Sequence, residues 1–310
     1  MPPQFRQRDS VAILGLGKVG TAVGHLLRSA GYEIVAVAGR SMSQLTQGIK
    51  YTGGQAFTDF SAAASLADCV MITTSDDAIA SVCDEVCQKG AIRPGNKVIH
   101  MSGAGGLDLL LPAVKAGAYV ASIHPLQSFA TVEGAISNIP GSTFGITADN
   151  EIQNWSEQIV HDLRGYPFTI ADSDKPLYHA AACLASNYLT SLLHTVGRIY
   201  QSLGMTRAEA LRTFWPLVQG TMQNIETQGT VQALTGPISR GDAGTVTKHL
   251  AALQKSFPSL LPLYCTLGKE TISLGLKKGT LNPDKAEIIK KLLGGDAEHG
   301  GTKNYHSHNS

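Results

Sequence analysis

Short apolar runs alternate with helical patterns through the first half of the chain. Residues 11–14 (VAIL), 33–38 (EIVAVA), 67–73 (ADCVMIT), 97–101, 119–123, 144–147 and 166–170 read as strands. Each run is short, almost uncharged and rich in β-branched residues. Residues 21–30, after the first run, form an amphipathic helix closed by Gly31. Strands that are apolar on both faces and spaced by helices predict an α/β fold with a doubly wound parallel sheet. After Asp172 the texture changes. From Pro176 to about Gly294 the periodicity is almost wholly helical, punctuated by Gly204, Gly229, Gly236-Pro237 and Gly279. The pattern predicts a sheet domain over residues 1–172 and an all-helical domain over 173–294, with the boundary near 171–175. Residues 295–310 are Gly, His, Ser and Asn without periodicity and are expected to be disordered. Three histidines in that tail suit a solvated tail better than a metal site.

Composition narrows the classes. Of 310 residues, 43% are hydrophobic and 16% charged, enough apolar matter for two cores. The net charge of +1 provides no polybasic field, so neither nucleic acid nor an anionic membrane is an expected partner. No apolar run reaches the roughly 18 residues of a membrane span. The polar start MPPQFRQRDS leads into VAILGLG, an apolar run too short for a signal peptide. The five cysteines, at 69, 83, 87, 183 and 265, include no Cys-x-x-Cys pair and match no zinc spacing. They are expected to be reduced thiols in a cytoplasmic chain without metal.

The first candidate chemistry lies where the first strand ends. Gly15-Leu16-Gly17-Lys18-Val19-Gly20 is a G-x-G-x-x-G run between a strand and a helix, the context in which such a loop binds a dinucleotide. Gly15 permits the tight turn, Gly17 lets a pyrophosphate approach the backbone, and Gly20 lets helix and strand pack closely. The helix N-terminus then offers free N–H groups and the positive end of its dipole. The end of the second strand discriminates between cofactors. NAD sites place a carboxylate there; this chain has Arg40-Ser41, a guanidinium and a hydroxyl suited to a 2′-phosphate. NADP is therefore expected rather than NAD. Thr73, Thr74 and Ser75 follow another strand and would border the ribose and pyrophosphate. Asp76 or Asp77 would also serve to cap the next helix.

The stretches GLGKVG, TSDDAI, HMSGA, SIHPLQSF, GSTFGI, HAAACLASNYL and LTGPISRGD give the chain a recognisable kinship. It resembles Rossmann-like NAD(P)-binding proteins whose helical C-terminal half is a domain of unknown function. Wider kin include ketopantoate reductases, pyrroline-carboxylate reductases, prephenate dehydrogenases and deazaflavin-dependent NADP reductases. The resemblance implies a Rossmann sheet, a helical domain like that of 6-phosphogluconate dehydrogenase, and an interlocked homodimer. It implies no particular substrate. Several of these kin carry a Lys one turn before a helical Asn. Asn187 resembles that Asn, but the preceding turn holds Cys183.

The helix predicted over residues 176–203 carries His179, Cys183, Ser186, Asn187, Thr190 and His194 within about a 100° stripe. A stripe of this kind suits a cleft facing a nicotinamide, or a subunit contact or internal hydrogen-bond ladder. His179 and Asn187, about 12 Å apart along the axis, would flank a substrate rather than share one atom. His124 ends a strand and opens HPLQSF. Prephenate dehydrogenases have a similar His-Pro, and the resemblance implies a substrate hydrogen bond; a turn in which the imidazole bonds to backbone is the plainer alternative. Gln127, Ser128 and Ser102 are candidate substrate contacts, and His100 reads as structural. Arg240, in a Gly-Pro and Gly-Asp loop, would bind an acidic substrate or pair with Asp242 or a helix C-terminus. His249 reads as a surface or interface residue. The expected function is an NADP-dependent oxidoreductase acting on a small carbonyl or imine substrate, with His179 or His124 handling the proton. The alternatives are an NADP(H)-binding sensor or scaffold without turnover, and a prephenate-type dehydrogenase.

Overall fold

The computed structural model describes residues 8–294. By compactness the chain divides between His194 and Thr195. That lies beyond the change of texture at residues 171–175, because the first turns of the helical region are built into the sheet unit.

In the first unit, β1 (Val11–Leu14), α1 (Lys18–Ser29), β2 (Ile34–Ala38), α2 (Met42–Thr52), β3 (Gln55–Phe57), α3 (Phe60–Ala64), β4 (Cys69–Ile72), α4 (Asp76–Gln88), β5 (Lys97–His100), α5 (Leu111–Lys115), β6 (Tyr119–Pro125), α6 (Val132–Asn138), β7 (Thr143–Ala148), α7 (Gln153–Asp162) and β8 (Tyr166–Thr169) follow in order. The eight strands form one sheet in the order β3-β2-β1-β4-β5-β6-β7-β8. Both faces are covered, and alternate residues of a strand enter different cores. Val11 and Ile13 of β1 join Met71, Ile99, Ile123 and Phe144 on one face. Ala12 and Leu14 join Val70, Ile72, Val98 and Val120 on the other. This period of two on a sheet with two dry faces makes the runs look uniformly apolar.

Two features depart from the sequence expectation. The sheet is not wholly parallel: β7 runs antiparallel to β6, pairing Ala121 with Ala148 and Pro125 with Phe144. The seven residues of α6 reach about 10 Å, whereas the seven of β6 extend about 23 Å. The short helix does not return the chain across the sheet, and the chain enters β7 from the end at which β6 finished. The second departure is β3, a three-residue edge strand, partly exposed, that no apolar run announces.

α8 (Lys175–Cys183), a π turn (Leu184–Tyr188) and α9 (Leu189–Ser202) form the helix predicted over 176–203. Its apolar residues are not buried within the single chain. Leu177 is 77% exposed, Leu184 62% and Tyr188 61%.

The second unit continues with α10 (Arg207–Ala233), α11 (Pro237–Arg240), α12 (Ala243–Ser256), α13 (Leu261–Lys278) and α14 (Pro283–Leu292). A capping box between Thr206 and Glu209 opens α10, and Gly229, at φ 76°, breaks it. Asp242 and Asn282 cap α12 and α14. Ile238, Val246, Ile272, Leu281 and Ile289 form this unit's core. Among the described residues no helix is long and apolar enough to cross a membrane. Residues 295–310, expected to be a disordered tail, lie outside the described residues.

Candidate active site

β1, β2, β4, β5 and β6 are mutually parallel in the sheet, so their C-terminal ends share one edge. Two sites lie along it. The first surrounds the glycine loop. Gly15 adopts φ +104°, and a Cβ there would lie 2.6 Å from Thr74 N. A Cβ on Gly20 would lie 2.6 Å from Gly15 O and would collide with Thr73 Oγ1. Thr73 Oγ1 itself donates to Gly15 O at 2.7 Å. At Gly17, by contrast, a Cβ would meet nothing within 4 Å. Gly17 is the N-cap of α1, makes no side-chain cap, and is followed by a first turn without acidic residues. The helix thus presents uncapped N–H groups and its positive end to open space.

That space is a cavity of about 460 Å³ lined by Gly15, Leu16, Gly17, Arg40, Ser41, Thr73, Thr74 and Ser75, among others. Its size suits a ligand pocket. Thr74 Oγ1 is buried in the lining without a hydrogen-bond partner, an orphan that a bound ligand would satisfy. Glu85 is the carboxylate among the lining residues, and Lys89 neutralises it at 2.8 Å. Arg40 is exposed at the mouth. These residues fit a dinucleotide: the amides and dipole of α1 for the pyrophosphate, Arg40 and Ser41 for a 2′-phosphate. Lys18 and Val19 stand at the start of α1 beside them.

The second site joins β5, β6 and α8. His124 Nδ1 lies 3.0 Å from the Tyr178 hydroxyl. In this contact either group can donate, and when the imidazole hydrogen sits on Nδ1 the Nε2 electron pair is free. The rings of His124 and His179 meet edge to face with centroids 5.8 Å apart. Both rest on Gly103, where a Cβ would lie 2.5 Å from His179 Nδ1 and 2.9 Å from His124 Nε2. His179 Nδ1 is buried without a partner. Burial, helped by the neighbouring His179 and Lys175, holds the His124 pKa down at about 4, so the ring is uncharged at neutral pH.

The floor beneath is a polar network. His100 Nδ1 accepts from the Ser102 amide at 3.1 Å. Its Nε2 therefore carries the hydrogen and donates to Gly106 O at 3.1 Å. Burial pushes this imidazole down to about 4 as well. Ser102 Oγ donates to Asp76 Oδ2 at 2.9 Å and accepts from the Gly105 amide. Lys175, only 1% exposed, donates to Ser122 Oγ at 2.7 Å and to Ser102 O at 3.3 Å. Burial lowers its pKa to about 8, despite Asp172 and Asp76 nearby.

The structure therefore brings His124 and His179 together and sets Ser102 beneath them as a buried network member. Other candidates separate from the cluster. Asn187 is exposed, and among the described residues its side chain makes no hydrogen bond. The stripe drawn at α-helical pitch does not continue through the π turn, which takes more residues per turn. The Gln127 carboxamide is used within its own loop, donating to Ser142 Oγ at 3.1 Å and accepting from the Ser128 amide at 2.8 Å. Gln127 and Ser128 are exposed and use these groups within their own loop. Arg240 is exposed in the second unit. The Asp242 carboxylate takes the Thr245 amide and hydroxyl rather than Arg240. His249 pairs with Tyr264 at 2.9 Å. Among the described residues no group of three metal-ligating side chains occurs, and the five cysteines are free.

Sequence reasoning missed Lys175, Tyr178 and Asp76 as site members. One signal for Lys175 was present: a cation in the first turn of a helix opposes the helix dipole, and such local conflicts mark functional positions. The amine absent from the turn before Asn187 is supplied here, at the start of the same helical region.

Residues 4–125 match the family described as a Rossmann-like domain, and residues 142–271 match a domain of unknown function, DUF2520. No curated protein matches the chain by sequence. Solved structures share the fold. A Bacteroides fragilis protein provisionally titled an NADP oxidoreductase, BF3122, is 18% identical with a TM-score of 0.70, over 86% of this chain and 98% of its own. Protein TM1727 from Thermotoga maritima is 24% identical with a TM-score of 0.67, over 87% and 99%. A Plasmodium falciparum pyrroline carboxylate reductase with NADP bound is 13% identical with a TM-score of 0.57, over 93% and 99%. At these identities the likeness is one of fold.

The buried histidines set a pH dependence of stability. A free imidazole titrates near about 6.5, whereas His100 and His124 do so at about 4 in the folded chain. Between those values the unfolded chain binds more protons, so stability is fully present above pH ~6.5 and is lost as pH falls towards ~4. For His100 alone the loss is on the order of 3 kcal/mol. Urea unfolding at pH 7 and pH 4.5 should show a larger acid loss in the wild type than in His100→Asn. Equal losses would contradict the assignment.

Proposed function

For a chain that joins a Rossmann-like domain to a DUF2520 domain, we propose an NADP-dependent oxidoreductase acting on a small carbonyl or imine substrate. The observation that carries this reading is the placement of two sites along one sheet edge. An uncapped glycine loop with Arg40 and Ser41 lies on the same sheet edge as a half-buried histidine pair, His124 and His179 on Gly103. The NADP-bound pyrroline carboxylate reductase of the same fold supports both the cofactor and the imine class.

Gly15, Gly17 and the first turn of α1, with Lys18 and Val19, hold the pyrophosphate; Thr73, Thr74 and Ser75 border it; Arg40 and Ser41 hold the 2′-phosphate. When bound, the nicotinamide supplies or accepts the hydride. His124 Nε2 faces the reacting heteroatom with its free electron pair, the imidazole hydrogen lying on Nδ1 towards the Tyr178 hydroxyl. In the oxidising direction the uncharged imidazole takes the heteroatom's proton as hydride leaves carbon. In the reducing direction the imidazolium returns it. His179 closes the other side and orients the substrate. The five free thiols suit a reducing cytoplasm. The exposed Leu177, Leu184 and Tyr188 of the first unit suit burial against a second copy of the chain.

Three measurements test this reading. Arg40→Asp should reverse a preference for NADPH over NADH in fluorescence titrations; an unchanged ratio would contradict the role of Arg40. His124→Gln and His179→Ala should each lower turnover by about 10²–10⁴-fold with NADPH affinity unchanged. NADPH binding without turnover on keto acids or imines would instead indicate a sensor or scaffold. Sedimentation at micromolar concentration should give twice the chain mass, and a stable monomer would contradict the homodimer.

A further inference from the structure

The buried lysine is unusual because nothing pairs its charge directly. Among the described residues no carboxylate lies within ion-pair distance of Lys175. Two acids favour the ammonium, Asp172 first and Asp76 second, and Asp76 Oδ2 is engaged by Ser102 Oγ. Asp172 accepts from the Leu107 amide at 3.1 Å. The ammonium is left with one hydroxyl and one carbonyl, Ser122 Oγ and Ser102 O. Burying a cation on these terms costs several kcal/mol, and the start of a helix raises the cost. An apolar side chain of similar length would fold more stably at this position. A destabilising charge kept in a cleft is a mark of function.

Its surroundings indicate which function. Ser122 precedes His124 by two residues on β6, so both side chains project from the same face of the strand. Ser102 O begins the loop whose Gly103 carries the two imidazoles. The groups facing Lys175 are Asp76 at the start of α4, Asp172 before α8, His100 on β5, His124 on β6, and Tyr178 and His179 on its own helix. The two carboxylates favour the ammonium, whereas the ammonium opposes a charge on either histidine.

We propose that Lys175 is a positioning residue of this site, holding β6 and the Gly103 loop together beneath His124 and setting a buried positive charge under its imidazole. This rests on the reading in which His124 exchanges a proton with substrate. An uncharged His124 with its hydrogen on Nδ1, towards the Tyr178 hydroxyl, presents the Nε2 electron pair to the substrate. A charged His124 would have no electron pair to accept the substrate's proton. Lys175 therefore acts through His124 and need not touch substrate.

The test separates charge from scaffolding. The His124 Cε1–H signal of the full chain, assigned by its loss in His124→Gln, is titrated by NMR in the wild type, Lys175→Arg, Lys175→Met and Lys175→Gln. The Arg variant keeps the charge, Gln keeps hydrogen bonding without it, and Met removes both. The wild-type midpoint should lie near about 4 and stay low in Lys175→Arg. It should move to higher pH in Lys175→Met and in Lys175→Gln, and Gln alone decides the matter if Met does not fold. In a turnover assay, the alkaline change in kcat/KM near about pH 8 should vanish in Lys175→Arg. The same midpoint in wild type and Lys175→Gln would overturn the proposal, because a purely structural lysine predicts that result. The NMR titration needs no turnover, so it stands or falls separately from the oxidoreductase reading.

Discussion

Where β1 ends, three segments of chain meet with no room for a side chain. Gly15 lies against the Thr73–Thr74 backbone, Gly20 lies against Gly15 and Thr73, and the Thr73 hydroxyl ties the two by donating to Gly15 O. Any Cβ at Gly15 or Gly20 would push α1 away from β4. The remaining features of the first site follow from this closeness. Because α1 begins immediately after the turn, its uncapped N–H groups open onto the cavity. Because β4 passes alongside, Thr73, Thr74 and Ser75 become the wall of that cavity.

The second site depends on the same parallel sheet, whose strands deliver His100, Ser102, Ser122 and His124 to one edge. It is held by polar groups in a region of low exposure, and almost all are satisfied within the chain. The exceptions are informative. Thr74 Oγ1 and His179 Nδ1 are buried without partners, and Lys175 is buried without a direct counter-ion. Unpaired groups of this kind cost about 1–3 kcal/mol each. Thr74 Oγ1 and His179 Nδ1 lie in the candidate cavity and the histidine cluster, where a ligand would supply the missing contacts; Ser61 Oγ and Ser156 Oγ, in α3 and α7, are likewise without partners among the described residues.

The fold was legible in the sequence wherever burial on two faces leaves an apolar run. The central strands are announced that way; β8 shows as an aromatic run although Tyr166 and Phe168 are exposed, and β3 is too short and too exposed to leave a pattern. The reversal at β7 was not legible, since strand direction depends on connection length rather than on strand composition. The cofactor loop was legible because backbone conformation restricts it to glycine at fixed spacing. The histidine cluster was only half legible. His124 and His179 stand out as polar residues in apolar surroundings. Asn187 was misplaced because a π turn is invisible to a count at α-helical pitch. Lys175 and Tyr178 matter through contacts across β5, β6 and β7, which no local pattern encodes.

Hydrogen exchange with and without NADPH tests the central claim most directly, because it reports where the cofactor binds as well as whether it binds. Saturating NADPH should slow amide exchange at residues 15–20 and 73–75, and in the segment carrying Arg40 and Ser41, and should leave the core of the second unit unchanged. Absence of protection at residues 15–20, or protection confined to other segments, would contradict the account.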